Sequence, residues 1–182
     1  MRKLIVQELV SIDGFFAGPN GEIDWHLVDD EYGEYAKDFL NSLDILLFGR
    51  ATYQLMVSYW PTETNDFADI MNSIPKIVIS KTLEKVDWQN TRLVNENIVE
   101  EITQIKQESG KDLAILGSAD LASSLLNAGL IDEYQITVVP VVLGDGKPLF
   151  KDMHDRVNMK LLKSRVLHSG CIQLHYQPDG AE

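Results

Sequence analysis

Cysteine is nearly absent: Cys171 is the only one in 182 residues. A lone cysteine excludes an internal disulfide and a multi-cysteine metal site, fits a reducing compartment, and reads as a small buried strand residue. No apolar run approaches the roughly 18 residues a membrane span needs. The N-terminus MRKLIVQELV has neither the apolar stretch nor the small-residue cleavage site of a signal peptide, so a cytoplasmic protein is expected. Basic charge is scarce, with 16 Lys and Arg against 28 Asp and Glu and a net charge of −12. That balance argues against a nucleic-acid partner, and any anionic ligand must be held by a local basic cluster. No Gly-x-Gly-x-x-Gly fingerprint is present. Pro/Gly/Ser-rich linkers, repeats and low-complexity segments are missing as well, which makes residues 1–182 a single domain. The four histidines, His26, His154, His168 and His175, are scattered; His168 and His175 would meet across a final hairpin, a weak basis for a metal site.

Two periodicities alternate along the chain. KLIVQEL (3–9), DILLFG (44–49), KIVIS (76–80), LAILG (113–117) and YQITVVPVVLG (134–144) are rich in Ile, Val and Leu and read as strands, several apolar throughout and so buried on both faces. Helical spacing runs through about 31–42, 51–58, 65–73, 97–109 and 119–128. Alternation of this kind predicts right-handed crossovers and a mainly parallel α/β sheet covered on both faces. The tail changes character: NMKLLKSRVL and CIQLHYQ, joined by HSG, predict an antiparallel hairpin at the sheet's C-terminal edge.

Two strands end in glycine just before a helix, in FGRATY (48–53) and LGSADLASSLL (116–126). Such turns lie at the carboxyl edge of the sheet, where open α/β folds place ligands. Glycine admits a ligand close to the backbone, and the helix behind it offers unpaired N–H groups suited to phosphate. Two such turns would share one pyrophosphate. Arg50 adds a bidentate donor beside the first, and Lys81 would sit nearby if the strands are neighbours. Asp120, in the first turn of the second helix, would repel phosphate, so its carboxylate is expected to turn outward.

SIDGFFAGP (11–19), LLFGRATYQ (46–54), KIVISKTL (76–83), LAILGSADLASSLL (113–126) and LIDEYQITVVPVVLGDGKPLF (130–150), in this order, resemble the dihydrofolate reductase-like superfamily. The chain is most similar to stand-alone proteins related to the C-terminal reductase domain of the bifunctional riboflavin biosynthesis protein RibD. That resemblance implies a three-layer α/β/α fold with about eight strands, NADPH as cofactor and a homodimer. Carried onto this chain, it assigns the cofactor's phosphates to Gly49, Arg50, Ala51 and Thr52, with Arg50 reaching the 2′-phosphate. Ser80 and Lys81 would hold the adenosine ribose side, and Gly117, Ser118, Ala119 and Leu121 would form the second phosphate-facing turn. Relatives often have Gly-Gly where this chain has Gly117-Ser118, which narrows the backbone's freedom there.

The same resemblance places Asp13, Gly14 and Ala17 along the nicotinamide, although Asp13-Gly14 is also an ordinary turn pair. It marks Asp30, five residues past Trp25, as the carboxylate that meets the substrate ring, with Trp25 and Thr137 as further pocket residues; the proton the acceptor needs would come from Asp30 if its pKa is raised, or from an ordered water. Asp29, Asp30 and Glu31 also suit a helix start for purely structural reasons. The implied activity is NADPH-dependent hydride transfer to a small heterocycle of pteridine or pyrimidine type. A nucleotide-binding module without turnover and a dimeric scaffold stay open beside it. The zinc deaminase domain that precedes the riboflavin enzyme's reductase has no counterpart in this sequence, so the riboflavin intermediate is not assumed as the substrate.

Overall fold

The computed structural model describes residues 1–180. Its centre is β1 (Leu4–Ser11), buried at all eight positions. The alternation of side chains along β1 builds two cores. Leu4 and Val6 pack with Ile102, Ile105, Leu121 and Leu125, while Ile5 packs on the opposite face with Phe39, Leu40, Tyr53 and Met71. A sheet with a separate apolar cluster on each face, both covered by helices, is the expected three-layer architecture.

Along the chain, β2 (Phe15–Ala17), α1 (Asp30–Asn41), β3 (Leu43–Gly49), α2 (Arg50–Tyr59), α3 (Asp66–Ser73), β4 (Lys76–Ile79) and β5 (Thr91–Val94) come first. Then follow α4 (Ile98–Gln107), β6 (Asp112–Leu116), α5 (Ala119–Asn127), β7 (Glu133–Val139), β8 (Lys147–Pro148), β9 (Met159–Val166) and β10 (Ile172–Pro178). The main sheet has eight strands in the order β5-β4-β3-β6-β1-β7-β10-β9, and only β10 runs against its neighbours. The chain steps outward through β3, β4 and β5, returns with β6 between β3 and β1, and crosses to β7 on the other side. Among the described residues no helix is long and apolar enough to cross a membrane.

Local chemistry explains where elements stop. Asp29 caps α1 by accepting from Tyr32 N at 2.8 Å, and Asn65 caps α3 by accepting from Ala68 N at 2.9 Å. The far end of α3 is closed by Lys76, whose buried ammonium donates to the Met71, Asn72 and Ile74 carbonyls and lies 4.3 Å from the Trp88 ring centre.

Three details differ from the sequence reading. The strand expected over 134–144 ends at Val139, because Pro140 has no N–H to give the ladder and Val141 N folds back onto Val139 O at 2.7 Å. Thr91–Val94, too short to announce itself, is the outermost parallel strand. Phe15–Ala17 pairs with Lys147–Pro148 in a second, two-stranded sheet.

Candidate active site

In the register of β3 and β6, Leu47 lies beside Ile115. Two residues further on, Gly49 and Gly117 therefore leave the sheet side by side. The two glycine turns are joined directly: Gly49 N donates to Ser118 Oγ at 2.9 Å. Gly117 and Ser118 both have left-handed backbone, with φ of +63° and +61°. A serine in that region costs roughly 1 kcal/mol, and a hydrogen bond recovers about as much. Relative to Gly-Gly, this chain accepts strain at Ser118 in return for a side-chain tie between the turns. A Cβ on Gly117 would stand 3.0 Å from Thr52 Cγ2 and 3.1 Å from its Oγ1, and one on Gly49 would stand 4.0 Å from Leu121 Cβ. The fold thus gathers Gly49, Thr52, Gly117, Ser118 and Leu121 into one place.

The first turn of α2 contains no acid, and Gly49 caps it without a side chain, which leaves its N–H groups open to a ligand. Every other α-helix among the described residues has one or two acids in its first turn: Asp30 and Glu31 in α1, Asp66 and Asp69 in α3, Glu100 and Glu101 in α4, Asp120 in α5. Asp120 does turn outward, onto Lys151 Nζ at 2.5 Å. Ala119 and Leu121 are buried, in the clusters with Val10 and Val6 respectively, so their side chains pack and only their backbone faces the turn.

Arg50 is exposed and donates to Thr82 Oγ1 at 3.1 Å. Thr82 went unnoticed in the sequence. Ser80 Oγ accepts from the N–H groups of Thr82 and Leu83 at 3.2 and 3.1 Å, a tight turn that ends β4. Lys81 is thereby exposed and lines a shallow cleft of about 720 Å³ with Asn95, Asn97 and Ile98.

At the carboxyl end of β1, Asp13 accepts from Leu143 N and Gly144 N at 3.1 and 2.8 Å. Those bonds, after the larger effect of the Ser11 hydroxyl, hold its carboxyl down at about 2. Gly14 needs its φ of +87° to turn the chain, and its carbonyl accepts from Leu149 N at 3.1 Å. Ala17 is buried in β2 opposite Lys147. These three residues staple the loop after β1 to the segment after β7.

Trp25 packs with Leu9, Tyr32 and Val139, and its ring N–H donates to Glu22 O at 3.1 Å. Thr137 is buried beside Leu9 in the β1–β7 ladder. Leu9 therefore links these two candidates in one layer. Asp30 is exposed at the start of α1 and makes no hydrogen bond or ion pair among the described residues; Asp29 is the cap. The neighbouring Glu31 is committed to Arg165 and His168, and His175 pairs with Glu133, so the two C-terminal histidines do not meet.

Several polar residues of this region escaped the sequence reading. Gln7 donates to Tyr32 OH at 2.6 Å, and Gln173 Nε2 is buried with no partner beside Thr137. His26 stands edge-on to Trp25 at 4.5 Å, its pKa lowered chiefly by burial and its Nε2 without a partner. Glu8 is buried in β1, and burial pushes its carboxyl up to about 8 against the pull of the Gly117 and Leu9 N–H groups. The available signal was the polar pair Gln7-Glu8 inside an otherwise apolar run.

Similarities to known proteins follow this geometry. Among solved structures, a putative riboflavin biosynthesis protein from Shewanella sp. PV-4 superimposes with a TM-score of 0.78 at 26% identity, over 97% of this chain and 99% of that one. A dihydrofolate reductase from Enterococcus faecalis, complexed with NADP(H), gives 0.67 at 17% identity over 97% and 96%. YyaP of Bacillus subtilis strain 168, an uncharacterized protein, is 38% identical over 184 residues, 98% of this chain and 96% of its own length. The fold is that of dihydrofolate reductase-like reductases, and with residues 2–173 matching the RibD C-terminal domain, the chain belongs to that family.

Proposed function

We propose that the protein is an NADPH-dependent reductase of a small pteridine- or pyrimidine-type heterocycle. The observation that carries this reading is the pair of glycine turns tied by Gly49 N and Ser118 Oγ, with the acid-free start of α2 beside them. The residues present fit the group. Backbone N–H groups of Ala51 and Thr52 would hold the pyrophosphate with those of the Gly117–Ser118 turn, and Arg50, braced on Thr82, would reach the 2′-phosphate. Ser80 and Lys81 border the adenosine side. The loop held by Asp13, Gly14 and Ala17 would flank the nicotinamide. NADPH, when bound, supplies the hydride. The chain's own work is alignment and proton supply: Trp25 and Thr137 would shape the acceptor's pocket, and Asp30, unpaired at the helix start, would hold the proton the acceptor needs. The reading includes a homodimer, which sedimentation tests.

Fluorescence titration of the purified protein with NADPH and NADH tests the cofactor half. Micromolar binding that prefers NADPH is expected, and Arg50→Glu should weaken it by more than tenfold with the circular dichroism spectrum unchanged. Equal affinity of Arg50→Glu and wild type for NADPH would remove Arg50 from the site. Binding in the wild type justifies screening dihydrofolate, pterins and pyrimidines for cofactor oxidation; no binding of either dinucleotide would leave the scaffold reading.

A further inference from the structure

Glu8 is the one acidic side chain buried beneath the candidate phosphate turn, and nothing in the proposed reaction uses it. In the β1–β6 register Gln7 lies beside Leu116, which sets Glu8 level with Gly117. Alternation along β1 turns Glu8 to the same face as Val6 and Val10, whose neighbours include Leu121, Ala122 and Ala119 of α5. A Cβ on Gly117 would come 3.6 Å from Glu8 Oε1 and 3.0 Å from Thr52 Cγ2. The carboxyl, the turn and Thr52 of α2 thus occupy one small volume. Glu8 is 5% exposed and its Oε1 has no hydrogen-bond partner.

A carboxylate has about four acceptor sites and is stable in a protein interior only when donors or a cation surround it. Here the Gly117 and Leu9 N–H groups face it, and among the described residues no cation does. On α2, Arg50 is directed to Thr82. On α5, Asp120 is paired with Lys151, and Ala119, Leu121, Ala122 and Ser123 are uncharged. On β7, Ile136 is level with Glu8. From the opposite face, the Tyr32 hydroxyl, bound to Gln7, is pushed up chiefly by burial and only secondarily by the Glu8 charge. An ionised Glu8 would therefore set an uncompensated negative charge against the amino ends of α2 and α5, where a dinucleotide's phosphates are to sit.

We propose that Glu8 is a positioning residue of the dinucleotide site: its neutral carboxyl supports the Gly117–Ser118 turn from below, and phosphate binding requires it to be protonated. The inference rests on the dinucleotide reading of the site. Binding that starts from ionised Glu8 takes up one proton, which the buffer supplies, and no other bond changes.

Calorimetric titration of the folded wild type with NADPH, above pH 7.5 where the 2′-phosphate no longer titrates, measures that proton when repeated in buffers of different ionisation enthalpy. Wild type should take up a proton on binding, and its Kd should weaken roughly tenfold between pH 7 and pH 9 if Glu8 stays protonated in the complex. Glu8→Gln should bind at pH 7, take up none and show a flat profile, which loss of a merely structural contact would not produce. If Glu8→Gln keeps the wild-type proton uptake, or wild type takes up none while binding normally, the inference is overturned and the dinucleotide reading stands. If wild type binds no dinucleotide at all, both fall together. Should Glu8→Gln fail to fold, proton uptake by wild type decides alone.

Discussion

Replacing Gly117 by alanine adds one carbon where the two turns meet. Two costs follow. At a φ of +63° an alanine loses about 1 kcal/mol against glycine, partly offset, by roughly 0.5 kcal/mol, through the narrower unfolded ensemble. The second cost is steric: the new carbon would stand 3.0 and 3.1 Å from the Cγ2 and Oγ1 of Thr52. Thr52 sits in the first turns of α2, and a rotamer change vacates one of its two γ positions while leaving the other filled, so the clash of overpacking, about 1 kcal/mol, is not fully relieved. Gly117→Ala should therefore cost about 2 kcal/mol in the wild-type background and only about half that in Thr52→Ala, a coupling of roughly 1 kcal/mol between the sites. Urea denaturation of the four proteins of the cycle measures it directly. In a chain of this length each kcal/mol corresponds to roughly 2 to 4 °C in melting temperature, so heating gives an independent reading. Equal costs in the two backgrounds would refute the steric argument and leave only backbone strain at Gly117.

Two further outcomes are expected. Once a heterocyclic substrate is in hand, Asp30→Asn should lower kcat by roughly a hundredfold or more if its carboxyl holds the transferred proton, and unchanged turnover would remove it from proton supply. At the other end of the sheet, Glu133 is held at about 2, first by its hydrogen bond with His175 and then by Gln135 and Lys3, against the opposing effect of burial. Its folded-state value lies below the unfolded one, so its contribution is fully present above about pH 4.5 and is lost as pH falls toward 2. Glu133→Gln should flatten that acid limb in a series of thermal melts, and an unaltered limb would show that other carboxylates govern acid unfolding.

The sheet was largely readable because its central strands are apolar on both faces, and the C-terminal hairpin because its turn contains Ser169-Gly170. Thr91–Val94 was not, since four residues half exposed at a sheet edge carry no burial pattern. The strand through Val139 was overextended, because VVPVVLG continues its apolar composition past the proline that ends its ladder. In the site, the glycine turns were visible as strand ends, but their contact was not: the Gly49–Ser118 bond spans 69 residues and depends on β6 returning between β3 and β1. Glu8 was hidden for a similar reason. A charge inside an apolar strand signals something, but only the register with β6 shows that it lies under Gly117.

In a protein with a net charge of −12, the proposed phosphate site would have to be made locally. What the structure shows is acid kept away from one spot. The first turn of α2 has none, although every other α-helix among the described residues has some. The acid at the start of α5 is drawn off by Lys151, and the acid beneath the turn is discouraged from ionising by burial. On the dinucleotide reading, Arg50, Lys81 and two sets of oriented N–H groups would hold the phosphates there, because a helix terminus is worth most to an anion where no competing carboxylate is near.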